Sequence, residues 1–133
     1  MRRLVLASCA AAALALVGAA RVAVAQPPNQ TGVTWTPLAD VDLGGELGFQ
    51  GRGLRSRLVT LPPGGLIPAH SHTDRPSVMY MVEGTVVEHR GAQATEHHQG
   101  ESFQIGKDTP HSIENTSGAK AAYIETDVYK KGS

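Results

Sequence analysis

The stretch SVMYMVEGTVVEHRGAQATEHHQGESFQIG, residues 77–106, decides the fold. It divides into short pieces rich in β-forming residues, each stopped by a glycine at Gly84, Gly91, Gly100 or Gly106. SVMYMV, TVVEHR, ATEHHQ and SFQI are too short for helices and show no 3.6-residue periodicity. Upstream, LRSRLVTL alternates apolar and polar residues before the hard turn Pro62-Pro63-Gly64-Gly65, and LIPAHSH is a further extended piece. Downstream, HSIEN leads into the turn TSG, and AAYIETDVY closes the chain. Short strands with regular turns imply an all-β sandwich or barrel, which hides strand edges by closure or by a second sheet. VTWTPLAD reads as an edge strand ending near Pro37, and LGGELGFQGRG as a glycine-rich loop or mobile segment with room for short strand pieces.

The chain has 133 residues, enough for one domain. Arg2 and Arg3, the apolar run Leu4–Ala20 and Ala23-Val24-Ala25 have the pattern of a cleaved secretory signal. Cys9 lies inside that run, too early for a lipoprotein cleavage box. The expected organisation is a signal peptide over 1–25, a lead-in and edge strand over 26–53, and a barrel over 54–133. The product is expected to be periplasmic or secreted, with no membrane segment after cleavage. Residues 26–133 contain no cysteine, so the core, a metal or oligomerisation must supply stability. They hold nine basic and twelve acidic residues, a formal charge of −3. No basic patch stands out beyond Arg52, Arg55 and Arg57, which argues against nucleic-acid binding.

His70 and His72 are separated by one residue. In a strand, such positions face the same way, so both can point into a barrel mouth. His111 follows Pro110 at the start of another expected strand. Three imidazoles suit a divalent transition metal: Fe, Cu, Zn, Mn or Ni. Ser77, Met79 and Met81 share one face of SVMYMV and are expected to line the pocket, the methionines as an apolar wall. Gln104 is expected to project inwards; it or Asp108 would orient a ligand imidazole. Asp74 is read as a turn residue rather than a substitute ligand, Arg75 as a solvated loop arginine rather than a holder of an anionic substrate at the mouth, and Asn115 as closing the turn near ENTSG. His89, His97 and His98 are read as surface residues.

The histidines belong to a longer pattern. Gly64, five residues, His70-x-His72, eleven residues and Gly84 resemble the first signature of the cupin superfamily. Gly100, ten residues, His111, three residues and Asn115 resemble the second. The resemblance covers roughly residues 54–128. It implies a small jelly-roll (double-stranded β-helix) barrel with a metal in its mouth, held by His70, His72 and His111. The family's usual glutamate ligand falls at Ser77, and the usual proline and glycine of the second signature fall at Gly106 and Asp108. The implied site is a neutral three-histidine face. Its expected partner is a small organic molecule, bound or turned over by a dioxygenase-like or Lewis-acid enzyme. A lyase or isomerase would need a base, for which only His98 or Glu101 offers itself. A non-catalytic binding module is the alternative. A homodimer is expected, pairing through the strand near Trp35.

Overall fold

The structure is a computed structural model that describes residues 31–107 and 109–132. The expected signal peptide and Asp108 lie outside the described residues. The strands are β1 (Thr34–Asp42), β2 (Arg52–Leu61), β3 (Leu66–His70), β4 (Ser77–Glu83), β5 (Thr85–Arg90), β6 (Gln93–His98), β7 (Ser102–Ile105), β8 (His111–Glu114) and β9 (Ala121–Lys130). A short helix, α1 (Leu43–Leu47), follows β1. One sheet has the order β1-β2-β9-β4-β7 and the other β3-β8-β5-β6, with antiparallel neighbours throughout. This is the all-β jelly roll.

Two expectations about the N-terminal part are corrected. β1 does not stop at Pro37: the register shifts between Pro37 and Ala39, and the strand continues to Asp42. Proline is tolerated because β1 is an edge strand. The glycine-rich segment is not all loop. The Asp42 side chain accepts a hydrogen bond from Gly44 N at 2.9 Å, and Gly48, at φ 75°, ends the helix between them. A good N-cap and a left-handed glycine suffice for one turn without periodicity.

Alternation sets the interior. On β4, Ser77, Met79 and Met81 are buried while Val78 and Tyr80 face out. The core gathers Val59, Leu61, Ile67, Met79, Met81, Val86, Phe103, Ile105, Ile113 and Tyr123. Each such side chain contributes about 1.5–3 kcal/mol on burial. The inward positions change character along the strands. On β2 they run from Arg55 and Arg57 to Val59 and Leu61; on β9 from Asp127 and Glu125 to Tyr123 and Ala121. On β8, His111 gives way to Ile113, and on β5, Glu88 to Val86. The barrel thus has an apolar end and a polar mouth.

Turns hold the mouth in place. Asn115 is fully buried; its Nδ2 donates to the carbonyls of Leu61, Pro62 and Ala119, and its Oδ1 accepts from Ser117. It closes its turn as the sequence suggests. Gly84, between β4 and β5, has φ 70°, and a Cβ there would meet the Lys120 carbonyl oxygen at 2.6 Å.

Candidate metal centre

His70 and His111 are direct partners across the antiparallel β3–β8 pair. His72 does not share a strand with His70 as expected: it lies beyond the end of β3, in the loop that crosses to β4. It reaches the same place because its ring is tied down: Nδ1 donates to the Arg75 carbonyl at 3.1 Å and lies 2.8 Å from Ser77 Oγ. The Ser77 hydroxyl in turn donates to Met79 Sδ at 3.7 Å.

Each ring is held by its Nδ1. That of His70 donates to the Pro68 carbonyl at 2.9 Å, and that of His111 to Glu88 Oε1 at 2.8 Å. These acceptors fix the tautomer, because a carbonyl or carboxylate oxygen needs the proton on Nδ1. Each Nε2 of a neutral ring then carries a lone pair, and that of His72 faces the Arg75 Nη2 donor at 3.3 Å. His72 Nε2 lies 3.1 Å from both His70 Nε2 and His111 Nε2, and candidate ligand atoms of the three residues lie within 4.8 Å of one another. Lone pairs facing one another repel, and the Arg75 guanidinium answers only that of His72, so an ion among the three nitrogens would relieve the rest. Two nitrogens about 2.0–2.1 Å from one ion stand about 3 Å apart when cis, so the donor set fits a transition metal. Burial disfavours the charged form of two of these rings: the pKa of His72 falls to about 3, chiefly through burial and then the Arg75 charge, and that of His70 is lowered mainly by burial.

Glu88 was not singled out by the sequence. It is 3 % exposed and accepts from His111 Nδ1, Arg90 Nε at 2.9 Å and His97 Nε2 at 3.2 Å. Burial opposes its ionisation, but those hydrogen bonds prevail and bring its pKa to about 2. His97 is therefore not a surface residue: it stacks on Phe103 at 3.8 Å between centroids and faces Glu88. His98 is exposed, and His89 is partly exposed and pairs with Glu114 at 2.8 Å.

A second cluster adjoins the histidines. Arg57 on β2 faces Glu125 on β9, with Nη2 donating to Oε2 at 2.6 Å; Arg55 grips Asp127 with two hydrogen bonds of 2.9 and 3.2 Å. Arg75 is not a free loop arginine. Its Nη1 donates to Asp127 at 2.9 Å, and its Nη2 lies 3.3 Å from His72 Nε2. Burial lowers the pKa of Arg57, against the pull of Glu125 and Asp127, and burial raises that of Glu125.

Ser77, Met79 and Met81 point inwards, the methionines within the apolar core. Gln104 does not: Phe103 and Ile105 take the inward positions of β7, which turns Gln104 out. It lines an outer groove of about 410 Å³ with Leu54, Val78, Thr126 and Val128. Asp74 is an exposed turn residue with φ 58°, outside the histidine cluster. Glu101 is exposed and accepts from the His98 backbone N–H, so neither proposed base reaches the site.

The family model for the cupin domain matches residues 57–128. Among solved structures, a conserved protein with a double-stranded β-helix domain from Klebsiella pneumoniae aligns with a TM-score of 0.63 at 11% identity, over 81% of this chain and 86% of that one. The cupin domain of an XRE-family transcriptional regulator from Enterobacter cloacae gives 0.58 at 14%, over 74% and 98%. A predicted oxalate decarboxylase from Thermotoga maritima gives 0.52 at 18%, over 70% and 91%. No curated protein matches the chain. At these identities the structures speak for the fold alone.

Proposed function

This chain belongs to the cupin family, and from that premise we propose that it is an exported small cupin holding one divalent transition metal on His70, His72 and His111. A small organic molecule is its ligand or substrate. The observation that carries this reading is the fixing of all three Nδ1 atoms, which leaves three Nε2 lone pairs converging. Three neutral imidazoles favour Fe, Cu, Zn or Ni over Mn, since the harder ion prefers oxygen ligands and position 77 is a serine. A bound ion would supply Lewis acidity or, with Fe or Cu, activation of dioxygen. The protein's own part is to hold the rings in one tautomer and present an ionic wall beside them.

A dioxygenase-like enzyme is the catalytic form of the proposal, because it needs no free general base. The alternative, a non-catalytic binding module, is favoured by a separate observation: Glu88, Glu125 and Asp127 are each bound to histidines or arginines. One neighbour in fold is a predicted decarboxylase and another a regulator's domain, which fits either form.

The test is elemental analysis of residues 26–133 purified without a histidine tag, beside His70→Ala and His111→Ala. About one equivalent of a single transition metal, lost in both variants, is expected. Oxygen uptake with Fe or Cu then separates enzyme from binding module. No metal after reconstitution would overturn the reading. Export and a homodimer are part of the same proposal; absence of the protein from periplasmic extracts and culture medium, or a monomer on sedimentation, would remove them.

A further inference from the structure

The mouth carries more positive charge than its own groups neutralise. Arg55, Arg57 and Arg75 bring three guanidinium groups, and Glu125 and Asp127 return two carboxylates. Glu88 and Arg90 cancel each other. Ser77 adds no negative charge. The balance is positive before any ion is bound, and a divalent ion widens it.

The donors are also incompletely used. Arg57 is 4 % exposed, yet its Nε finds no acceptor among the described residues. The same holds for Trp35 Nε1, and the Arg57 guanidinium lies 4.5 Å over the Trp35 ring. A buried donor left unpaired costs about 1–3 kcal/mol, and more when charged. Two such donors on side chains that stack on each other are a built-in demand for acceptors. Arg75, within 3.3 Å of His72 Nε2, extends the cationic surface to the edge of the histidine cluster.

We propose that the mouth recognises a small organic carboxylate, its anionic group paired with Arg75 and Arg57 beside the three histidines. A carboxylate supplies acceptor lone pairs and negative charge together, and guanidinium–carboxylate pairing adds orientation. A neutral molecule of the same shape meets the hydrogen bonds but not the charge. Recognition by the arginines stands without a metal; only the further tightening on metal loading rests on the metal reading above.

Trp35 is the only tryptophan in the sequence, so its indole N–H gives one NMR signal beside Arg57. Propionate and its neutral isostere propionamide are titrated against metal-free and Zn²⁺-loaded protein. A saturable shift of that signal is expected with propionate, with propionamide at least about tenfold weaker. Arg75→Gln should weaken propionate by a similar factor, and Arg75→Lys should restore part of it. Arg75 is chosen because it lies at the rim, whereas Arg57 is buried and its loss threatens folding. Equal response to the two probes, or none in either form, overturns the inference. If Zn²⁺ fails to bind, the metal reading falls, and the metal-free titration still decides this one. If Zn²⁺ binds and propionate shows no preference, the metal reading stands alone.

Discussion

Glu88 brings to the histidine cluster a negative charge that Ser77 does not. Its carboxylate accepts the His111 Nδ1 proton at 2.8 Å and is itself held by Arg90 and His97. Such a partner fixes a ligand ring and raises its basicity; its loss typically costs about 10–100-fold in metal affinity. Glu88→Gln keeps the shape and removes the charge, so metal affinity should fall by about that factor in a chelator competition. Unchanged affinity would take Glu88 out of the centre. His70, His72 and His111 were legible through the spacing of the two signatures, although His72 sits in the loop past β3 and not in the strand expected to aim it. Glu88 was not, because Val86 and Val87 precede it and either could be the inward parity. Gln104 was misread for a related reason. A polar residue near a site attracts a polar role, but Phe103 had already claimed the interior of β7.

At the scale of elements, glycines mark the strand ends so plainly that β4 to β7 could be read without coordinates. Gly84 shows why one of them must be glycine: it turns at φ 70°, and a side chain would run into the Lys120 carbonyl. Gly84→Ala should destabilise the fold by about 1–3 kcal/mol, read as a lower urea midpoint at unchanged slope. A midpoint equal to the parent's would mean that the turn relaxes freely. β2 shows where alternation misleads. Leu54 and Leu58 are its apolar alternates near the mouth, yet they face outwards, while Arg55 and Arg57 face in. The inversion is stable only because β9 brings Glu125 opposite Arg57 and Asp127 opposite Arg55. That register joins residues about 70 positions apart, and no local pattern announces it. β1 and α1 were misjudged on smaller grounds: an edge strand absorbs a proline with a bulge, and one capped turn needs no periodicity.

For the whole molecule, the buried ionisable groups make stability depend on pH. In the metal-free protein the folded pKa of His72 is about 3 against its ordinary value of 6.5, and that of His70 is lowered too. Below 6.5 the unfolded chain takes up protons that the folded one refuses, so stability is full above that value and drains as pH falls. Glu88, at about 2, adds a loss with the same sign below its ordinary 4.5. Glu125 works the other way. Its raised pKa lets the folded protein hold a proton above 4.5, which favours the fold at lower pH. Between about pH 4.5 and 6.5 the two histidines act against that one carboxylate. The melting temperature of chelator-treated protein should therefore rise with pH across this window. His72→Gln removes one titrating ring while keeping a polar side chain in place, so its curve should rise less steeply than the parent's. Parallel curves would show that His72 is not held neutral in the folded state, and one lone pair of the converging three would be lost with it.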